Sequence, residues 1–559
     1  MSSVNSASSS KKSSFTHINH DTSSLTVQNP SPVSTIDEED EVEDAPADLE
    51  NQPLLQHGIH HYLDPDDPQV SPLNLSNIKR VRLVISILVW INAIAAILFI
   101  ISDFISIPGV TNYGKSFFEL DLILWCLLSN WLCLSWFAVP VYTERILGYI
   151  TCGLLGVDFL VVVIITSLRK SYGWIGLGVL VWTSLTALLD SIVNYWVEQG
   201  KEYQEVRYTG RIEKRKTFTE MLIIFIKGIF RIILVVLIWN ISLTLWLQAF
   251  DSHEKPWGKL IKVNDEQVEI HLACYGDVHN TKEQPIILVE GGQLTSSEVF
   301  QDWIEELYHL NKIDRYCVWD RPGYAFSSSS PSPVSIGIIS EYLSEALDKE
   351  GIEGPFTLVG FDIGGLYSRI FASRHLEKIH SILLVDSWHE DLLKKFPFSG
   401  INRKNESPQV FNGNLELMDN FTGFKLWIKG IISPLGIISN LHWLLHPVKH
   451  SSKARVFGSD MIYQSKYIRA RLQEQLTSGI LSYNELKSSE GQLKNVPMSI
   501  VSSDYMIKTS LNWGKWQREI STISTKTLEW VIAENSGHLV WESSRGRDQL
   551  QQVLLRLLN

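Results

Sequence analysis

The sequence predicts an α-helical membrane region of about five spans, followed by an α/β domain with a mostly parallel eight-stranded sheet, helices on both faces and a helical cap. Three observations predict it. Nearly all the long apolar runs fall between about Leu83 and Phe250. From Gly258 onward, short strand-like segments alternate with amphipathic helices, the pattern of βαβ units. Ahead of both, the first 78 residues are rich in Ser, Asp, Glu and Pro. At 559 residues the chain exceeds one ordinary domain. It divides into an acidic Ser-rich tail (1–78), a membrane region (79–250) and an α/β domain (258–559) with a cap insertion at 388–495.

The tail reads as disordered. Asp37 to Asp44 holds seven acids in eight residues, and such a segment buries too little apolar surface to offset its chain entropy. Residues 1–50 carry ten acidic residues against Lys11 and Lys12, so most of the formal charge of -12 belongs to the tail. No broad basic surface remains for nucleic acid. The tail has neither an apolar signal-peptide core nor an Arg-rich, acid-poor presequence character, which leaves insertion to the first transmembrane helix.

Five stretches approach the roughly 20 apolar residues that a span needs: Leu83 to Ile101, Leu122 to Val141, Ile146 to Leu168, Trp174 to Val193 and Ile229 to Phe250. Lys227 and Arg231, at the start of the fifth, can snorkel to the interface. With five crossings, ten Lys and Arg share the side of the tail and three (Lys115, Arg169, Lys170) fall opposite. That bias places the tail in the cytosol and the α/β domain across the membrane. Asp158 and Asp190 lie within spans and read as isolated carboxylates without basic partners at matching depth, so the helices read as an anchor rather than an ion path.

Of the five cysteines, Cys126, Cys133 and Cys152 sit in apolar runs and read as packing residues. Cys274 and Cys317 fall on predicted core strands. No disulfide framework is implied, no Cys/His spacing marks a metal site, and no cofactor is expected.

Strands are expected near Lys259–Lys262, Gln267–Cys274, Pro285–Glu290, Arg315–Trp319, Phe356–Gly360, His380–Val385, Met498–Val501 and Thr527–Ala533. Four motifs punctuate them. Glu290-Gly291-Gly292-Gln293 follows the third strand, and Asp320-Arg321-Pro322-Gly323-Tyr324 the fourth. Leu358-Val359-Gly360-Phe361-Asp362-Ile363-Gly364-Gly365 spans the fifth strand and the helix after it, and Gly537-His538 follows the last. Their order resembles the α/β-hydrolase superfamily, with Glu290 where a histidine is usual, Ala325 in place of a glycine, and Asp362 in the nucleophile position of G-x-S-x-G. The resemblance implies a nucleophile, acid and histidine in that chain order: Asp362, Asp504 and His538. Asp386, at the end of the sixth strand, is the second candidate for the acid. Oxyanion donors are expected at Gly292 and Ile363.

An aspartate on a strained turn at a helix N-terminus is stabilised as a charged nucleophile. It suits attack on an electrophilic sp3 carbon, giving an alkyl ester that water activated by His538 cleaves, as in epoxide hydrolases and haloalkane dehalogenases. Ile363 stands where those enzymes carry a tryptophan. Tyr463 and Tyr467, spaced i,i+4, are the candidates for cap tyrosines that protonate an epoxide oxygen. The expected function is a membrane-anchored hydrolase acting on a hydrophobic, lipid-derived substrate. The alternative is a binding or scaffold protein that keeps the fold without catalysis, resembling the N-myc downstream-regulated proteins.

The cap centre, Phe424 to Leu445, is apolar enough to rest on the bilayer or to raise a sixth span, although Pro434, two glycines, Lys429 and His442 oppose a span. Asn405 and Asn420 begin glycosylation triplets if the domain is lumenal. The overall plan resembles uncharacterised fungal multi-pass membrane proteins with a C-terminal α/β-hydrolase domain, some of which carry mitochondrial names. Membrane topology favours the endoplasmic reticulum or a later secretory membrane, with a mitochondrial membrane as the alternative.

Overall fold

The computed structural model describes residues 62–63, 67–105, 107, 117–212, 216–280, 284–394 and 422–558. Residues 1–61 of the tail, the Asn405 triplet and the acceptor Asn420 lie outside them.

Five helices long and apolar enough to cross a membrane come first: α1 (Ser76–Ser102), α2 (Phe118–Ser135), α3 (Tyr142–Ile164), α4 (Thr166–Thr209) and α5 (Phe218–Asp251). Helix α2 stops before Pro140, earlier than the apolar run suggests, because proline cannot continue the ladder. Helix α4 kinks at Gly173, whose φ of 58° is open to glycine alone at low cost.

Two charges expected to snorkel instead turn inward. Lys227 Nζ meets Glu144 at 2.9 Å and donates to the Val139 carbonyl at 3.1 Å. Arg231 lies 3.7 Å from Asp190 and donates to Ser129 at 2.5 Å. Asp190 therefore has a basic partner after all, supplied by α5 rather than by its own segment. Asp158 accepts from Ser242 and Trp246. Pairing across helices offsets the cost of charge in an apolar bundle.

The C-terminal domain holds β1 (Lys259–Val263), β2 (Val268–Tyr275), β3 (Ile286–Glu290), β4 (Tyr316–Asp320), β5 (Phe356–Phe361), β6 (Ile379–Val385), β7 (Met498–Ser503) and β8 (Thr527–Ala533). All eight fall within a residue or two of the expected segments. The sheet order is β1-β2-β4-β3-β5-β6-β7-β8, antiparallel at β1/β2 and β2/β4 and parallel elsewhere. Helices α6 (Ser297–His309), α7 (Ile336–Lys349) and α8 (Gly364–Arg374) alternate with these strands. After the cap come α13 (Asp504–Thr509), α14 (Leu511–Ser521) and α15 (Ser544–Leu558). Strands β3, β4 and β5 are buried along their whole length, as strands covered on both faces must be. The chain is thus a multi-pass membrane protein with an α/β-hydrolase domain.

One antiparallel pairing has a covalent consequence. Cys274 and Cys317 stand directly opposite each other on β2 and β4 and form a disulfide, which the spacing of the cysteines along the chain did not reveal.

The described part of the cap comprises α9 (Thr422–Ile432), α10 (Ile437–Leu445), the short α11 (Ser452–Val456) and the long α12 (Ser465–Leu493). Helices α9 and α10 are bent by 50° across Pro434 and Gly436. The insertion leaves β6 and returns to β7, strands hydrogen-bonded side by side, so its ends share one side and it makes no net crossing. It does reach along the membrane helices. Asn440 donates to Thr244 at 3.1 Å and to the Asn240 carbonyl at 3.3 Å. Asn240 precedes the end of α5 by eleven residues, about 16 Å at 1.5 Å per residue. The pair is a bent apolar hairpin whose outer face exposes Phe424, Ile437, Leu441, Leu444 and Leu445.

Helix α12 ties this cap to the first membrane helix. Arg469 donates to Asp103, the C-cap of α1, at 2.9 Å, and Gln473 donates to the Asp103 carbonyl at 2.7 Å.

Arg231→Ala leaves Asp190 buried and unpaired, and the expected loss is about 3–5 kcal/mol. Thermal unfolding in detergent reads it, and adding Asp190→Asn should restore part of the loss.

Candidate active site

Strand β5 ends in a sharp turn that presents Asp362 with φ of 54°, ahead of α8. The turn needs its glycines. A Cβ at Gly360 would meet Gly365 Cα at 2.7 Å, and one at Gly364 would meet the Glu290 and Gly291 carbonyls at 2.5 Å. Asp362 is thereby pressed against the loop after β3.

The structure brings Asp362 and His538 together, with His538 Nε2 3.3 Å from Asp362 Oδ1. It does not bring Asp504 to the histidine. The residue at His538 Nδ1 is Asp386, at 2.6 Å. Its second oxygen accepts from Trp513 Nε1 at 2.7 Å and from the Ser503 N–H at 3.0 Å, so this fully buried carboxylate is held at three points. Asp504 begins α13 and instead accepts from the N–H groups of Asn535 and Ser536, at 3.0 and 3.1 Å, and from Lys508. It steadies the loop carrying His538 rather than the imidazole. The reason is local: Asp386 stands at a sharp strand end, with φ of 41°, aimed across the site, whereas the first turn of α13 points Asp504 at the backbone after β8.

The oxyanion loop needs a similar correction. The Gly292 N–H donates to Thr295 Oγ1 at 3.1 Å, so it serves the loop itself. The next N–H, that of Gln293, donates to Asp362 Oδ2 at 2.9 Å, and the Ile363 N–H also bonds this carboxylate. Gln293 and Ile363 are the donors that face the nucleophile position. In the sequence, only the place of Gln293 after Glu290-Gly291-Gly292 hinted at it.

Arg321 holds that loop from behind. Its guanidinium donates to the Gly291 carbonyl and, at 2.9 Å, to the Gly292 carbonyl, while pairing with Glu290 at 3.1 Å and Glu474 at 3.0 Å. Glu290, in the usual histidine position, thus anchors Arg321 and also accepts from Trp319. Burial pushes the Glu290 carboxyl up to about 7, although Arg321 opposes the rise.

The two cap tyrosines separate. Tyr467, on α12, donates its hydroxyl to the Gln293 carbonyl and packs edge-on against Tyr324. Tyr463 sits in a 3-10 turn before α12 begins, not on the same helix, and packs against His442. Helical i,i+4 spacing therefore does not apply to them.

Electrostatics give Asp362, His538 and Asp386 one linked charge state. Burial raises the Asp362 carboxyl, but the His538 hydrogen bond, the imidazolium charge and the two N–H groups outweigh it and hold the pKa below the ordinary value. For His538, burial lowers the pKa, yet hydrogen bonds to Asp362 and Asp386 carry it up to about 10. The resting site is an imidazolium between two carboxylates. This arrangement stabilises the fold fully below the ordinary histidine value of 6.5, and the contribution is lost as pH rises through about 10.

Carbethoxylation of His538 should therefore stay slow to above pH 9 in the intact protein. Asp386→Asn removes a facing charge and should lower the reactivity midpoint by about 1–3 pH units. Asp504→Asn should leave it in place, and a shift there equal to that of Asp386→Asn would refute this assignment.

Comparison with known proteins matches residues 50–274 to a region of unknown function (DUF2417) and residues 284–420 to the alpha/beta hydrolase fold. Among solved structures, similarity reaches the Cif epoxide hydrolase from Acinetobacter nosocomialis (15% identity, TM-score 0.41, 57% of this chain and 96% of that one). It also reaches the enol-lactonase from Burkholderia xenovorans (15% identity, TM-score 0.37, 53% and 98%). An uncharacterized protein of Schizosaccharomyces pombe is 28% identical over 84% of this chain and 88% of its own. An uncharacterized vacuolar membrane protein of Saccharomyces cerevisiae is 32% identical over 86% of this chain and 87% of its own. The chain belongs to the family of that yeast membrane protein.

Proposed function

We propose that the protein is a membrane-anchored hydrolase that opens a hydrophobic, lipid-derived electrophile through an ester on Asp362. The observation that carries this reading is the placement of the Asp362 carboxylate, with one oxygen on the Gln293 N–H and the other facing His538, which Asp386 backs. Oδ1, the oxygen that faces His538, attacks the electrophilic carbon. Oδ2 becomes the ester carbonyl oxygen, already lying where oxyanion charge develops when water adds.

The linked charges order the two steps. An imidazolium cannot take a proton from water, and while Asp362 is ionised His538 is held in that form. Attack forms the Asp362–carbon ester bond, breaks the electrophile's carbon–oxygen bond and removes the Asp362 charge, and the imidazolium proton passes to the released alkoxide. The His538 pKa then falls, and the neutral imidazole oriented by Asp386 activates the water. Tyr467 contacts the site through the Gln293 carbonyl, whereas Tyr463 faces His442.

The bent hairpin supports a lipid-derived substrate, because its apolar outer face continues the membrane face of α5. Five candidate spans among the described residues, the Lys and Arg bias and the Cys274–Cys317 disulfide favour a domain in an oxidising lumen. The vacuolar name of the yeast relative favours a late secretory membrane over a mitochondrial one.

Two experiments test this. Mass spectrometry of His538→Ala after exposure to epoxide, haloalkane and fluorophosphonate probes should find an adduct on Asp362 that Asp362→Ala lacks. No adduct in folded protein would favour the binding or scaffold reading. Non-reducing peptide maps of protein taken from its native membrane should contain the Cys274–Cys317 linked pair, and free thiols at both would place the domain in the cytosol.

A further inference from the structure

Where the bent hairpin rejoins the cap, three side chains outside the candidate active site converge. His442 lies on α10, His450 in the loop that follows, and Asp460 in the turn before Met461–Tyr463. Their nitrogen and oxygen atoms all lie within 4.8 Å of one another. The two imidazoles face each other at 4.4 Å, and each directs Nδ1 at a different oxygen of one carboxylate. His450 is 2.5 Å from Oδ2 and His442 is 3.4 Å from Oδ1. Asp460 is almost wholly buried, His450 is buried, and the His442 side chain is one-third exposed, leaving one open side.

The fold builds this convergence. Asp460 is fixed by its N–H bond to the Ala454 carbonyl at 2.9 Å. The His450 carbonyl accepts from Arg455 at 2.7 Å, and Arg455 is itself committed to Asp251 at the end of α5. That guanidinium is neutralised and holds the loop by its backbone. Each Nδ1 already points at its own carboxylate oxygen, so nitrogen and oxygen ligand atoms are gathered around one small space. A single divalent cation satisfies all three ligands at once. Ligand atoms about 2.0–2.1 Å from a tetrahedral zinc lie about 3.3 Å apart, close to the His442–Asp460 separation. Closing on the metal requires the His450 pair to open by less than an ångström.

We propose that His442, His450 and Asp460 form a site for a divalent transition-metal cation of the zinc class, which staples the bent hairpin to the base of α12. The two-nitrogen, one-carboxylate set suits zinc, cobalt or nickel rather than the all-oxygen preference of calcium and magnesium. Three protein ligands leave the fourth position, on the exposed side, to water. No local spacing marks the site, because His442 and His450 are eight residues apart and the carboxylate arrives from a separate turn.

The test uses the full, tag-free chain in nanodiscs, stripped with chelator and titrated with zinc against a fluorescent chelator. The intact protein should bind one zinc per chain and melt at a higher temperature when loaded. His450→Ala and Asp460→Asn should each weaken binding by more than about 100-fold, beyond the cost of losing an outer-shell partner. His442→Gln alters a partly exposed side chain, so it keeps the test decisive if a buried substitution misfolds, and it should also abolish the zinc-dependent rise in melting temperature. Cobalt loading should give the intense visible bands of a tetrahedral site in the intact protein alone. No zinc binding by the intact chain, or binding that persists in His442→Gln, overturns the proposal.

Discussion

Arg321 is the hinge of the domain's chemistry. Its fully buried guanidinium sits between Glu290 on the sheet and Glu474 on α12 and holds the carbonyls of Gly291 and Gly292. A cation so placed is stable only because two carboxylates and two carbonyls surround it, and removal of one partner from such a buried set costs about 3–5 kcal/mol. Because Arg321 orients the loop, it also orients the Gln293 N–H, and so the charge state of Asp362. Glu474 carries a second load: Tyr324 donates to it at 2.7 Å.

Through α12 the same cluster reaches the membrane. Glu474, Tyr467 and Arg469 stand within two turns of one helix, and Arg469 pairs with Asp103 at the end of α1. The oxyanion loop and the first membrane helix are therefore bonded to the same rigid element. The hairpin preceding α12 lies along α5 through Asn440 and Thr244, so the cap is held by membrane helices at two places. A cap fixed in this way resembles part of the anchor more than a free lid.

In the proposed reaction, the charges of Asp362, His538 and Asp386 couple protonation to covalent state. An aspartate nucleophile differs from a serine in that it starts charged and becomes neutral on alkylation. In that proposed sequence a flanking histidine faces two carboxylates before the first step and one after it, so its basicity falls.

Local pattern carried much of this protein. The five spans needed only length and apolar composition, and the eight strands needed only short apolar runs bounded by turn residues, both being properties of contiguous residues. Asp362 and His538 were legible for the same reason, since an elbow and a Gly-His loop are short motifs. What the chain could not disclose were choices between residues equally spaced in sequence but differently aimed in space. Asp386 rather than Asp504 meets His538 because one strand end turns into the site and one helix start turns away. Gln293 rather than Gly292 faces Asp362 because Thr295 takes the earlier N–H. Arg231 finds Asp190, Cys274 finds Cys317, and His442 finds Asp460 across separations that only packing closes. Direction and partner are set by the whole fold, and no window of sequence contains them.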